Sequence, residues 1–185
     1  MKKLLLIAVL AVGFVSANAQ KVELIPKAGI SINRQDISGK KTKVGFQGGM
    51  GVNITTGLKN FSVQPELNYV QKGTKIKGVD GKSTYKFNYL EVPVLAKYSF
   101  GPVYVDAGPS LGLRIARNDN AKTFTDTKRL DFGVQGGLGV AVPAGPGKIV
   151  LDGRYDLGLT KVGEYNGDSG KNRGCTVSLG YAIPF

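Results

Sequence analysis

Apolar and polar residues alternate through nearly the whole chain after residue 21. Eight segments follow this pattern, and their 48 alternate positions carry no charged residue, Ser, Thr, Asn or Gln. The segments cover residues 22–32, 44–54, 61–69, 90–98, 103–115, 130–142, 149–159 and 175–185. Strict alternation predicts β-strands, because successive side chains of a strand point to opposite faces of the sheet. We therefore expect an all-β chain with eight strands.

The connections between these segments alternate in length. Long polar connections rich in Gly, Asn, Asp and Lys are predicted over 34–43, 72–82, 116–128 and 161–173. Short connections with turn residues are predicted over 56–60, 99–102 and 143–147. Four long loops at one rim and three short turns at the other are typical of outer-membrane barrels. The pattern predicts an eight-stranded antiparallel up-and-down transmembrane β-barrel, with both chain ends at the short-turn, periplasmic side.

The fourth segment interrupts the alternation. Tyr85, Phe87 and Tyr89 occupy odd positions before the apolar set moves to even positions at Leu90. A β-bulge near this point, or a strand end standing above the membrane, would account for the shift.

The alternation alone leaves open which face points inward. A soluble lipocalin-type barrel has the same period with an apolar lumen and a polar exterior. Near-balanced charges on the polar face favour a closed interior, because buried charges need partners. Twelve strand glycines also lie on that face, where they leave room for long side chains, and the Trp typical of lipocalins is absent. The predicted lumen ion-pair network comprises Glu23, Lys27, Lys43, Glu66, Glu91, Lys97, Asp106, Arg114, Arg129, Asp131, Asp152, Arg154 and Asp156.

Aromatic residues fall near the predicted strand ends. Membrane barrels place aromatic girdles at both interfaces with water. We expect one girdle near the short-turn rim, from Phe61, Tyr98, Phe100 and Phe185, and one near the long-loop rim, from Tyr69, Tyr85, Phe87 and Tyr89.

The first residues have the features of a secretory signal peptide. Lys2 and Lys3 precede an apolar stretch over 4–15, which is too short to span a bilayer as a helix. Ala17-Asn18-Ala19 matches the small-residue cleavage signal, so we expect cleavage between Ala19 and Gln20. The predicted organisation is a signal peptide over 1–19 and an outer-membrane β-barrel domain over 20–185.

The residue types present argue against catalysis. The chain has no His and one Cys, so the commonest general base and the usual zinc-ligand sets are missing. Glycine-rich runs over 48–51 and 136–139 lie inside predicted strands, without the following helix that a phosphate-binding loop needs. We expect no catalytic, cofactor-binding or metal-binding residue, and no enzymatic activity.

Five segments resemble a known family when they are read in order. They are residues 89–98 (YLEVPVLAKY), 107–112 (AGPSLG), 131–133 (DFG), 154–159 (RYDLGL) and 179–181 (LGY) with the terminal Phe185. Together they resemble the small bacterial outer-membrane β-barrel family often labelled PorT-like, which is related in architecture to OmpA- and OmpX-type barrels. The resemblance implies an integral outer-membrane protein. The terminal Phe185 also resembles the assembly signal by which the barrel assembly machinery recognises the last strand, and it is equally expected as the last lipid-facing residue of that strand.

The functional expectation follows from the lumen and the loops. Eight strands enclose a lumen that side chains can fill, so a plugged polar interior is expected rather than a wide pore. The four long connections carry a formal charge of +8, which would suit lipopolysaccharide phosphates or an anionic partner. We expect a monomeric structural or surface-interaction protein, adhesin- or scaffold-like, in contact with outer-membrane lipid and lipopolysaccharide and with no nucleic acid. The alternative is a narrow channel or a component of an outer-membrane protein-secretion apparatus, the latter implied by the resemblance.

Overall fold

The computed structural model describes residues 21–35, 43–78, 81–117, 130–165 and 168–185, and side chains within 21–32, 44–71, 88–116, 130–160 and 173–185. Eight strands account for nearly all of these residues. They are β1 (Lys21–Gln35), β2 (Lys43–Thr55), β3 (Phe61–Gly78), β4 (Gly81–Phe100), β5 (Val103–Arg117), β6 (Leu130–Ala144), β7 (Gly147–Tyr165) and β8 (Asp168–Pro184). Within the described ranges, no helix is long and apolar enough to cross a membrane.

The strands form one closed antiparallel barrel in chain order. Each strand pairs with its neighbours in sequence, and β1 pairs with β8 to complete the ring, with Ala28 opposite Leu179. Closure satisfies the backbone N–H and C=O groups of both edge strands, which a hydrocarbon environment requires. The predicted fold is confirmed.

Two connections predicted as long loops are mostly strand. Backbone pairing of β3 with β4 continues to Gly78 opposite Gly81, and that of β7 with β8 continues to Tyr165 opposite Asp168. The loop prediction over 72–82 and 161–173 is therefore wrong for most of both ranges. A hairpin that extends beyond the membrane keeps its backbone hydrogen bonds, but no apolar face is required there, so the sequence loses its alternation.

The three short turns at the other end are tight. Asn60, Gly101 and Gly145 have φ values of 64°, 68° and 63°, in the left-handed region that Asn and Gly adopt most readily. The Ser99 N–H donates to the Asn60 carbonyl oxygen at 2.9 Å, which ties neighbouring turns together. These turns fix the register of the strands that they join.

The outer face of the barrel is apolar. Ile30, Phe46, Leu138 and Leu179 are about half exposed or more, and large apolar residues of all eight strands share this face. Ile54 is a departure: it belongs to the predicted outer set but is only 4% exposed, and nothing in the structure explains it. An apolar exterior around a charged interior is the arrangement expected for a barrel in lipid.

A β-bulge lies beside the start of the fourth segment, but it is on β5 and not on β4, so it does not account for the interrupted alternation. The β4–β5 register shifts between Asn88, opposite Ala116, and Tyr89, opposite Arg114, so the extra residue is Ile115 on β5. The assignment of Tyr89 to an outer aromatic girdle is wrong. The bulge lies on β5, so β4 keeps its alternation, and Tyr89 faces the lumen and is buried.

Candidate functional site

Five charged side chains meet near the middle of the lumen, and we call them the central cluster. Lys27 projects from β1, Glu66 from β3, Asp106 from β5, and Asp152 and Arg154 from β7. The cluster therefore takes its members from alternate strands of the barrel. All five side chains are almost fully buried, because the inward face of each strand contributes to a narrow tube.

Arg154 holds the cluster together. Its Nη1 lies 2.9 Å from Glu66 Oε2 and 3.0 Å from Oε1, while Nη2 and Nε donate to Asp106 Oδ2 at 2.8 and 3.1 Å. Asp152 Oδ2 is 3.7 Å from Nη2, and Lys27 Nζ is 2.6 Å from Glu66 Oε2. Because β3 and β7 are four strands apart in an eight-stranded ring, the Arg154–Glu66 pair joins opposite walls.

Neutral side chains complete the hydrogen bonding of the carboxylates. Gln64 Nε2 donates to Glu66 Oε1 at 2.7 Å, and Asn68 Nδ2 donates to Glu66 Oε2 at 2.8 Å. Ser178 Oγ donates to Asp152 Oδ1 at 2.8 Å. Such donors offset part of the cost of removing a carboxylate from water.

A second polar group lies toward the long-loop end. Gln135 Nε2 lies 3.2 Å from both Glu91 Oε2 and Ser110 Oγ. Asp131 is also buried, while Arg114 and Asp156 are half-buried on the same inward face. Among the residues whose side chains are described, no group of His, Cys, Asp and Glu is arranged to hold a metal ion.

A third polar group lies at the short-turn end and includes a residue that the sequence analysis missed. Lys148 Nζ is 2.6 Å from Glu23 Oε1, and Asn53 Nδ2 donates to Glu23 Oε2 at 2.9 Å. Lys148 is not among the predicted lumen residues. Its position, an even number of residues before Asp152 and Arg154 on the same strand, is the signal that places it inward.

Apolar side chains also enter the lumen; the alternation placed Tyr104 there, but the other members of this layer were not among the predicted inward residues. Ile25, Tyr104, Val150 and Ala182 form a buried cluster at 1–2% exposure, with Ala141 packed against it. Each of the five is the middle residue of three consecutive apolar residues. An apolar triplet in an alternating strand is therefore the signal that would have found this layer, because its central side chain must point inward.

The remaining predicted site residues lie at the ends of the described chain or outside it. Ala19, Gln20 and Arg129 are outside the described residues, as is the Lys43 side chain. The Phe185 N–H donates to the Val22 carbonyl oxygen at 2.9 Å, and its ring is 81% exposed at the short-turn rim. Its role as an assembly signal stays a prediction.

Glycines of the inward face serve two purposes. A Cβ at Gly139 would meet the Tyr104 ring, so this glycine leaves room for a lumen side chain. A Cβ at Gly137 would meet both Arg154 Cγ and the Gly153 carbonyl oxygen of the neighbouring strand. A Cβ at Gly108 would instead meet the Val94 carbonyl oxygen of the neighbouring strand. The second purpose, close approach of backbones in a tightly curved wall, was not part of the sequence argument.

A closed antiparallel barrel with a lipid-compatible exterior and charges inside defines an integral outer-membrane β-barrel. The sequence comparison agrees with this class. Residues 10–164 match the model of the family described as outer membrane protein beta-barrel domain, and the chain belongs to that family. The predicted location in the outer membrane is thereby confirmed, while the narrower PorT-like label stays a prediction.

Solved structures with the same fold are distant in sequence. Neisserial surface protein A is 16% identical, with a TM-score of 0.55 over 89% of this chain and 97% of that one. Ail of Yersinia pestis, solved in complex with the heparin analogue sucrose octasulfate, is 16% identical, with a TM-score of 0.49 over 88% and 98%. The N-terminal β-barrel domain of Pseudomonas aeruginosa OprF is 14% identical, with a TM-score of 0.43 over 89% and 100%. No curated protein matches the chain.

Proposed function

We propose that the protein is a monomeric structural and surface-interaction barrel whose lumen is plugged by side chains. The observation that carries the plug is the position of Arg154, which bonds Glu66 across the full width of the lumen and has 2% of its side chain exposed. An ion crossing the barrel would have to displace this guanidinium from two carboxylates. Breaking such a buried pair is costly, because each uncompensated charge stays out of water.

The separation of two cavities on either side of the central cluster supports the same proposal. A cavity toward the long-loop end is lined by Glu91, Asp131 and their neighbours, and one at the short-turn end is lined by Glu23, Lys97 and Tyr104 among others. The two cavities share no lining residue. The buried layer of Ile25, Tyr104, Val150 and Ala182 adds apolar surface to the path, which hydrated ions avoid.

The surface-interaction part of the proposal depends on charge. The long connections carry a formal charge of +8, and outer-membrane barrels expose such connections to the outside. Cationic side chains there would contact lipopolysaccharide phosphates or capture an anionic partner, with a strength that falls as salt increases. The name of Neisserial surface protein A, which has the same fold, agrees with a role at the cell surface.

Planar-bilayer recording tests the plug. We expect the folded wild-type protein to give no conductance steps, and Arg154→Gly to give steps, because it removes the guanidinium from the lumen axis. Lys59→Gly removes a cation from an exposed short turn and is the matched control, with no steps expected. Regular steps from the wild-type protein would instead support the alternative of a narrow channel. Heat-dependent electrophoretic migration establishes that each variant is folded.

Binding to lipopolysaccharide tests the basic connections at the long-loop end, where Lys75 and Lys77 lie on β3 and Lys40 and Lys41 lie between β1 and β2. Lys40, Lys41, Lys75 and Lys77 changed together to Gln should weaken binding of the folded protein to lipopolysaccharide, and the salt dependence of binding should decrease. The control changes Lys21 and Lys59, both exposed at the short-turn end, and should bind as the wild type does. Dephosphorylated lipopolysaccharide should bind both proteins equally weakly. Unchanged binding by the loop variant would remove the proposed role of the basic connections.

A further inference from the structure

A cavity of about 370 Å³ opens at the short-turn end of the barrel, and we call it the short-turn cavity. Its mouth is lined by Ser99, Gly101, Pro102 and Pro143, which lie in or beside the turns, so it faces the periplasm in the usual orientation of outer-membrane barrels. The volume lies within the roughly 300–1,000 Å³ that small-molecule sites occupy. Neither the plug nor the basic loops require such a space.

The wall of the cavity is largely apolar. Ile25, Tyr104, Val150 and Ala182 line it and form the buried layer below the central cluster, with Ala141 beside them. Apolar side chains offer water no hydrogen-bond partner. An alkyl chain that covers them is stabilised by roughly 25 cal/mol per Å² of apolar surface removed from water. The shape and chemistry of the wall therefore favour a short hydrocarbon chain.

One buried cation faces this apolar wall. Lys97 is 5% exposed and lines the cavity, and its Nζ lies 3.7 Å from the centre of the Tyr104 ring and 3.2 Å from Gln64 Oε1. Among the described side chains, no carboxylate forms an ion pair with Lys97 within 4.0 Å of its Nζ. The other cation of the cavity, Lys148, is already paired with Glu23 at 2.6 Å. Lys97 thus offers a single positive charge with donor capacity left.

We propose that the short-turn cavity binds a medium-chain alkyl carboxylate, with the chain on the apolar wall and the carboxylate on Lys97 Nζ. A single available cation matches a head group with one negative charge, because a second charge would stay unpaired in a confined site. The Tyr104 ring serves both parts of such a ligand, since its face contacts the ammonium and its side chain belongs to the apolar layer. The proposal does not depend on the plug or on the basic loops.

Methyl NMR of the full barrel in lipid nanodiscs tests the proposal, with octanoate as the probe. Octanoate should shift the methyl signals of Ile25 and Val150 in a saturable way, because these side chains line the cavity. The Ile149 methyl group faces the lipid and is the internal reference, where only a weak and non-saturating shift from partitioning into the bilayer is expected. The absence of a saturable shift at Ile25 and Val150 would overturn the proposal.

The role of Lys97 is tested with a second probe and with variants. Octanol, which lacks the charge, should bind the wild-type protein about tenfold more weakly than octanoate, as expected for the loss of a charge-assisted hydrogen bond. Lys97→Met should remove the difference between the two probes, while Lys59→Met, on an exposed turn, should keep it. Equal affinities of octanoate and octanol for the wild-type protein would overturn the assignment of the carboxylate to Lys97, even if Lys97→Met failed to fold.

Discussion

Arg154 is the residue on which the interior of this barrel depends most. Its guanidinium contacts carboxylates from three strands, and its planar fork donates to Glu66 and Asp106 in two directions at once. A lysine would supply the charge without that geometry. Replacing the whole cluster with apolar residues need not destabilise the barrel, but removing one member leaves its partners charged and buried.

Arg154→Met tests this dependence. We expect the free energy of unfolding to fall by about 3–5 kcal/mol, because Glu66 and Asp106 lose a buried partner and stay charged. Urea unfolding in lipid vesicles, followed by circular dichroism, measures the change. Lys148→Met is the matched control: its side chain is 45% exposed, so its ion pair with Glu23 is screened and about 1 kcal/mol or less is expected. Equal losses for the two variants would contradict the central role of Arg154.

Two glycines offer a second test at the same scale. A Cβ at Gly108 would meet the Val94 carbonyl oxygen, whereas a Cβ at Gly153, on the outer face, has no atom within 4 Å. We expect Gly108→Ala to reduce the free energy of unfolding by about 1–3 kcal/mol through overpacking against backbone. Gly153→Ala should change it by less than about 0.5 kcal/mol. The same unfolding measurement checks both, and a neutral Gly108→Ala would show that the wall relaxes easily.

The strands are longer than a bilayer requires. A tilted transmembrane strand needs about 9–11 residues, whereas these strands have 13 to 20. The excess is greatest in β3, β4, β7 and β8, whose hairpins continue beyond the ends of their neighbours. Two paired ribbons, rather than open loops, therefore carry much of the polar sequence at the long-loop end. The β3–β4 ribbon keeps one register to its end, whereas the β7–β8 register shifts between Leu157 and Lys161 and again between Lys161 and Glu164.

The membrane strongly constrains the register of each strand, because a shift of one residue exchanges the side chains that face the lumen and the lipid. One Ala inserted after Gly136 in β6 would turn Leu138, Val140 and Val142 into the lumen and their polar-face neighbours into lipid. We expect this variant to fail to fold, as judged by the loss of heat-dependent migration. The same insertion after Asn120, in the connection between β5 and β6, shifts no strand and should fold. Equal folding yields would mean that β6 can change its register.

At the scale of the whole molecule, closure and orientation act together. In the closed ring, the backbone N–H and C=O groups of each strand pair with those of its two neighbours. The outer surface can therefore be apolar all round. Cys175, the single cysteine of the chain, lies exposed on that surface, whereas its neighbour Thr176 is 6% exposed in the lumen. Adjacent residues of one strand thus face environments of opposite polarity.

Labelling of this cysteine tests the orientation of the wall. An environment-sensitive fluorophore on Cys175 should be quenched by lipids that carry nitroxide groups on their acyl chains, because the side chain faces hydrocarbon. The control combines Cys175→Ser with Thr176→Cys and should label poorly when folded, because that side chain faces a filled lumen. Efficient labelling and equal quenching at both positions would contradict the assignment of the two faces.

The alternation predicted which side chains enter the lumen, but not which of them meet there. The alternation placed Glu66, Asp106 and Arg154 on the inward face, since parity along a strand decides the direction of a side chain. It did not reveal that Arg154 bonds Glu66 across the barrel, because that pairing depends on the height of each residue along the wall. The prediction for Tyr89 is wrong because the alternation was expected to shift before Leu90, whereas β4 keeps the same parity through Tyr89 and Glu91.

The sequence by itself determined the number of strands, their order around the wall, the apolar exterior and the charged interior. Each of these depends on local period and connection length, which are written along the chain. The tertiary structure alone decided which charges meet, where the apolar layer of Ile25, Tyr104 and Val150 lies in the lumen, and that a cavity remains beside it. Those features depend on strand stagger and ring closure, which bring together residues more than a hundred positions apart in the chain.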